Sequence, residues 1–204
     1  MELGGKLLIA MPGMSDPRFE KSVVFLCMHS ADGAMGLIVN KPAKGLDFAT
    51  LLQQLKIHSA KRSGETDPPR AVAAGSAMPD SPRRDIVVHT GGPVELGRGF
   101  VLHGSDYQTD GSTLQINDAF ALTGTVDVLE NIARGGGPVS VLLALGYAGW
   151  GPGQLEREIG ANGWLTCDAS AELVFAPEDG RKWERALKTL GVDALALSAA
   201  AGRA

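Results

Sequence analysis

Cysteine is nearly absent from the chain: its 204 residues include two, Cys27 and Cys167. With no CxxC and no paired spacing, neither a disulfide framework nor a zinc ligand set can be assembled. Reduced thiols in the cytoplasm are the expectation. Long apolar runs are missing too. Leu7–Met11 is cut by Pro12, too short for a signal-peptide core, and Val192–Ala201 is too short to cross a bilayer. Nor is there an excess of positive charge: 19 Lys plus Arg stand against 23 Asp plus Glu, a net −4. That is the wrong sign for a domain whose affinity comes from neutralising phosphates, so direct nucleic-acid binding is disfavoured. Several catalytic signatures are lacking. No GxxxxGK[ST] cradles a polyphosphate, no GxSxG surrounds Ser22, Ser105 or Ser140, and no HExxH offers a metal pair.

Glycine is what the chain has in abundance, 27 residues with no Gly-X-Y period. Five fall within 91–104 and nine within 135–163, which marks local backbone geometry and not general looseness. With 44% hydrophobic and 21% charged residues, the chain can bury a core as one domain over 1–204. From 56 to 85 periodicity disappears and Pro, Ser, Arg and Gly accumulate, which reads as a long, flexible surface loop. Its six basic and four acidic residues form the one basic stretch.

Strands are expected at Lys6–Met11, Ser22–His29, Gly36–Asn40, Ile86–His89, Gly99–His103, Thr113–Asn117, Phe120–Thr123, Ser140–Tyr147, Trp164–Cys167 and Glu172–Phe175. The runs SVVFLCMH and SVLLALGY read as strands covered on both faces. Helices are expected from Asp47 as N-cap to Leu55, over Val126–Arg134, after Pro152 with Leu155 and Ile159 buried, and over Pro177–Leu190. Strands outnumber helices and mostly follow one another directly, so the class is α+β.

Three blocks, GKLLIAMPGMSDPRFEKSVVFLCMHSADGAMGLIVNKP from Gly5, GGPVELGRGFVLH from Gly91 and LGYAGWGPGQLEREIGANGWL from Leu145, resemble the bacterial YqgE/AlgH family. The segment bearing Trp183, Ala186, Leu190 and Gly191 is similar to the family's ending. The resemblance implies a complex fold with a bifurcated, mostly antiparallel β-sheet curled into a pseudo-barrel and flanked by helices. It implies no particular reaction; one branch takes its name from regulation of alginate production, which implies a regulatory setting. The 56–85 loop is longer than is usual in that family.

Four groups of residues are candidates for function. Gly146, Gly149, Gly151 and Gly153 form a glycine-rich turn between an apolar strand and a helix, where backbone N–H groups can meet an anion. Pro152 removes one donor there, and Glu156 and Glu158 oppose polyphosphate, which favours a structural turn. Cys27 and His29 are two apart on a strand, the spacing for one face, as in a reactive thiol tuned by an imidazole; a small apolar filler is the alternative. His29, His89 and His103 end strands, but without metal-ligand spacing they satisfy local hydrogen bonds, and no metal or cofactor is expected. Asp16, Asn40, Arg98, His103, Gln154, Glu156 and Asn162, beside Trp150 and Trp164, are polar groups next to aromatics that can line a shallow pocket. Asn162 also suits helix termination, and Arg98 can pair with Glu95 or Asp106.

Together these point to a cytoplasmic protein that binds a protein partner or small ligand near the glycine-rich turn, in a regulatory role, with no membrane association. A redox-responsive protein sensing through Cys27 is one alternative. A transcriptional regulator touching DNA is the other, and the net charge opposes it.

Overall fold

In the computed structural model, residues 2–57, 86–109 and 111–192 are described. Most of the 56–85 loop and of the apolar tail therefore lies outside the described residues. The strands are β1 (Lys6–Ala10), β2 (Val23–Ser30), β3 (Gly33–Ile38), β4 (Val88–Thr90), β5 (Val94–Gly104), β6 (Thr113–Gln115), β7 (Phe120–Thr123), β8 (Val141–Trp150) and β9 (Trp164–Asp168). The helices are α1 (Phe48–Gln54), α2 (Val126–Ala133), α3 (Gln154–Gly160), α4 (Ala171–Val174) and α5 (Asp179–Thr189).

Two expectations are corrected. The segment Glu172–Phe175 is not a strand but part of α4, because the Ser170 side chain accepts from Leu173 N–H and caps a helical turn of good helix formers. Pro152 does not begin a helix: β8 continues through Gly146 and Gly149 to Trp150, and α3 starts at Gln154 after Gly153 takes a left-handed turn.

The sheet runs β6-β7-β5-β8-β3-β2-β1-β9, with β4 branching off it onto β8. Strand β8 is the fork. Its Leu143–Leu145 segment pairs with β5 antiparallel and with β4 parallel, while Ala148–Trp150 pairs with β3. The chain passes from β4 on one side of β8 to β5 on the other within Gly91, Gly92 and Pro93. That crossing needs glycine both in the crossing segment and on β8. Gly146 has φ +71, and a Cβ there would come 2.7 Å from Gly92 O and 2.8 Å from Val94 O.

The sheet curls into a half-barrel. Phe25 on β2 and Phe120 on β7 are separated by three strands in sheet order, yet their rings lie 4.8 Å apart. The concave face holds one core layer, with Leu7, Phe25, Leu102 and Leu142, closed by Leu173, Trp183 and Leu187 from α4 and α5. A second layer, with Leu8, Leu26, Trp150 and Trp164, lies under Leu155 of α3 on the other face of β1 and β2. A third joins α1 and α2 to β4, β5 and β8. As the apolar run predicts, Val23–Cys27 are buried throughout, because one layer takes odd positions and another the even ones.

Candidate functional site

The turn from β8 into α3 positions the principal site. Gln154 begins α3, its Oε1 accepting from Gly151 N–H at 3.1 Å. The helix ends where Asn162 takes φ +58, its N–H donating to Ile159 O and that of Gly163 to Glu158 O. This is a Schellman termination with asparagine in the left-handed position. Between those ends, Glu156 and Glu158 leave the helix on different sides, as two-residue helical spacing requires.

Glu158 is turned toward the tryptophans. Its Oε2 accepts from Trp150 Nε1–H at 2.9 Å and from Trp164 Nε1–H at 2.8 Å, and its Oε1 accepts from Gln154 Nε2–H at 2.8 Å. The two indoles pack edge to face at 5.9 Å, and Phe19 packs on Trp164 at 5.5 Å. One carboxylate thus satisfies two largely buried indole donors and fixes the ring angles.

A cleft of about 580 Å³ opens beside this cluster, and Asp16, Trp150, Gln154, Asn162 and Trp164 from the sequence candidates line it, with Gly149. Arg18 clamps Asp16 through three side-chain bonds, Nε–H shared between Oδ1 at 3.0 Å and Oδ2 at 3.1 Å and Nη2–H to Oδ2 at 2.6 Å, with its backbone N–H on Oδ1 at 2.9 Å. That guanidinium hydrogen bond holds the Asp16 carboxyl below its ordinary range. The cleft therefore presents the Asp16 and Glu158 carboxyl groups, one arginine, the Met11 and Met14 thioethers and an aromatic floor.

Other candidates stand elsewhere. Asn40 accepts from Val23 N–H at 2.8 Å and donates to Lys21 O at 2.9 Å, tying β2 to the end of β3. Arg98 pairs with Glu95 at 3.1 Å and lies over the Phe100 ring. His103 is fully buried; its Nδ1–H donates to Gly104 O at 2.7 Å, and Nε2 meets Thr123 Oγ1 at 2.9 Å. Desolvation lowers its pKa, against the Gly104 and Asp106 contributions. His89 faces Leu143 O and the Asp179 carboxylate. Among the described residues, no group of three or more His, Cys, Asp or Glu is placed to hold a metal ion.

Cys27 and His29 do not share a face as their spacing predicts. Leu26 is opposite Gly36 and Met28 is opposite Met35, so Cys27 is the extra residue of a β-bulge and the alternation shifts after it. Cys27 stays in the concave core with Phe25, and His29 turns toward α3, where its Nε2 meets Glu156 Oε1 at 2.9 Å. The Cys27 thiol is 3% exposed, and burial pushes its pKa up to about 12. The arrangement holds a thiol and not a thiolate.

Sequence reasoning gave no site role to Phe19, Arg18, Met11 or Met14, and read Glu158 as a charge opposing polyphosphate at the turn and not as an indole acceptor. The Gln154–Glu158 pair has the i,i+4 spacing that could have signalled it; the indole contacts have no local signature.

The sequence model of the AlgH-like family matches residues 7–195. A UPF0301 protein of Ruegeria pomeroyi is 56% identical over 204 residues, covering 100% of both chains. One of Cereibacter sphaeroides is 53% identical over the same coverage. The solution structure of the AlgH protein from Pseudomonas aeruginosa superposes with TM-score 0.73 at 39% identity, over 98% of this chain and 94% of that one. A Corynebacterium diphtheriae protein shares the fold with TM-score 0.70 at 17% identity, over 97% and 92% of the two chains. No described helix is long and apolar enough to cross a membrane.

Proposed function

The chain belongs to the AlgH-like family, and from that premise we propose that it is a cytoplasmic binding protein whose cleft beside the glycine-rich turn receives a small ligand or a short segment of a protein partner, in a regulatory role. One observation carries the reading: Asp16, Trp150, Gln154, Asn162 and Trp164, distant in sequence, line one cleft of about 580 Å³. A concave site with an aromatic floor and a few fixed polar groups is the usual form of a ligand pocket. The floor is preorganised, because Glu158 holds both indoles before any ligand arrives.

The alternatives have less support. A thiol with a pKa of about 12 lacks the thiolate that redox sensing needs. Net charge −4 opposes a phosphate-led contact with DNA. The test is a fragment screen on protein carrying 13C-methyl methionine. Binders should move the Met11 and Met14 methyls and the Trp150 and Trp164 indole N–H signals, and should weaken with Asp16→Asn and Asn162→Gly. A screen whose binders leave all four signals unmoved would count against the cleft.

A further inference from the structure

Of the chain's six methionines and two cysteines, Cys27, Met28 and Met35 line one cavity of about 500 Å³, which is independent of the cleft reading. We propose that this cavity binds a soft monovalent metal ion of the Cu(I) class through the Cys27 thiolate and the Met28 and Met35 thioethers. The strand register brings the three together. Residues 27 and 28 of an unbroken strand would leave opposite faces of the sheet. The bulge changes that: Leu26 stands opposite Gly36 and Met28 opposite Met35, so Cys27 is the extra residue between them. Cys27 belongs to the concave core, and Met35 packs against that core. Met28 shares the face of its partner Met35, so all three side chains leave on the concave side. Directly opposite residues have Cβ atoms about 5 Å apart. Unbranched thioethers with three rotatable bonds can turn from there onto one point beside Cys27.

The sulfurs are also graded by depth. Cys27 is 3% exposed at the floor, Met35 is partly buried in the wall and Met28 is 50% exposed at the rim, which gives an ion a way in from solvent. Donor chemistry sets which ion fits. Thiolate and thioether are soft ligands and select Cu(I), whereas Mg(II) and Ca(II) prefer oxygen. Leu114 and Ile116 complete an apolar wall. One thiolate and one monovalent cation sum to zero charge, the cheapest state against such a wall. In the free protein the Cys27 thiol is turned to Phe25 O at 3.8 Å, a long contact that is easily given up. Binding forms a sulfur–metal bond, breaks the S–H bond and sends that proton to solvent. No electron changes hands, and the ion stays monovalent.

The experiment uses the full chain, reduced and anaerobic, with 13C-methyl methionine and two probes, Cu(I) delivered as its acetonitrile complex and Zn(II). Cu(I) should move the Met28 and Met35 methyls, saturating at one ion per chain, while Met11 and Met14 stay in place. Zn(II) should leave all four methyls unmoved. Met28→Leu, at a half-exposed position, conserves volume and should keep the fold by circular dichroism. It should weaken Cu(I) by about tenfold or more, at least the loss that follows removal of a ligand's supporting partner. Met35→Leu should do the same, and Cys167→Ser, whose thiol lies outside this cavity, should bind as the wild type does. No methyl shift with Cu(I), equal shifts with Zn(II), or undiminished binding by both methionine variants overturns the proposal. Binding lost with Cys167→Ser overturns it too. Shifts confined to Met11 and Met14 overturn it while leaving the cleft reading intact.

Discussion

Glu158 is the side chain on which the cleft geometry depends. Replacing it with alanine leaves two indole N–H groups, on rings that are 7% and 2% exposed, without their acceptor. Each unsatisfied donor costs desolvation energy, so Glu158→Ala should lower stability by about 2 kcal/mol and alter tryptophan emission, read together in a fluorescence-detected denaturant titration. Glu158→Gln keeps an oxygen and should lose less. The thiol of Cys27 sits at the opposite extreme of reactivity. At pH 8 a group with a pKa near 12 is ionised on the order of one part in ten thousand. Iodoacetamide should therefore leave Cys27 unmodified in the native protein and label it after denaturation, as peptide mass mapping would show; rapid native labelling would revive the redox reading.

Among the elements, α5 is anchored by charge as well as by its apolar face. Lys182 is 1% exposed; its ammonium donates to Val39 O and to the Asp179 carboxylate, both at 2.8 Å, and that carboxylate also meets His89 at 3.1 Å. Burial acts to raise the Asp179 carboxyl, but His89 and Lys182 outweigh it, so its pKa lies below the ordinary 3.8. Asp179→Asn leaves a buried ammonium without its counter-charge and should cost about 3 kcal/mol at neutral pH. A carboxyl depressed by folding stabilises the native state above its unfolded pKa, and the contribution is lost as pH falls through the folded value. The gap between wild type and variant should stay constant down to about pH 4 and narrow below it, in urea titrations across that range. Helix α3 is the complementary case. It is seven residues long and sends its two glutamates different ways: Glu156 reaches His29 and Glu158 reaches the tryptophans.

At the scale of the whole molecule, the crossing of Gly91–Pro93 over β8 joins the two branches of the sheet. Gly146→Ala puts a Cβ against two backbone carbonyls at a φ of +71, where nothing nearby is a flexible side chain tip. The expected cost is about 3 kcal/mol or more, combining left-handed strain with overpacking, and thermal unfolding measures it. Hydrogen exchange should show the loss at β4, β5 and β8 together, because these strands share the fork. Gly149→Ala is the internal comparison, since its contacts are to the Tyr147 ring and a side chain can move.

Most of the local structure was legible in the residues. The apolar runs at Val23 and Val141 read as strands, Asp47 read as an N-cap and does accept from Thr50 N–H, and Asn162 before Gly163 read as a helix end. The cap and the helix end depend on bonds between residues at most five apart, where spacing alone sets geometry, and the two strands were legible through their unbroken apolar runs. Gly5–Pro42, Gly91–His103 and Leu145–Leu165 also resembled the family that the comparisons established. What the sequence did not carry is which residues meet across the sheet. A single-residue bulge at Cys27 sent His29 to the opposite face, the curl brought β7 against β2, and the fork at β8 placed Trp150 between two cavities. Register and curvature arise from the sum of many pairings, so a one-residue slip reverses every side chain beyond it. The sequence by itself determined most of the elements and the sign of the charge; the tertiary structure decided that some candidates line one aromatic cleft while Asn40, Arg98 and His103 stand elsewhere, because only a folded sheet sets the distance between residues far apart in the chain.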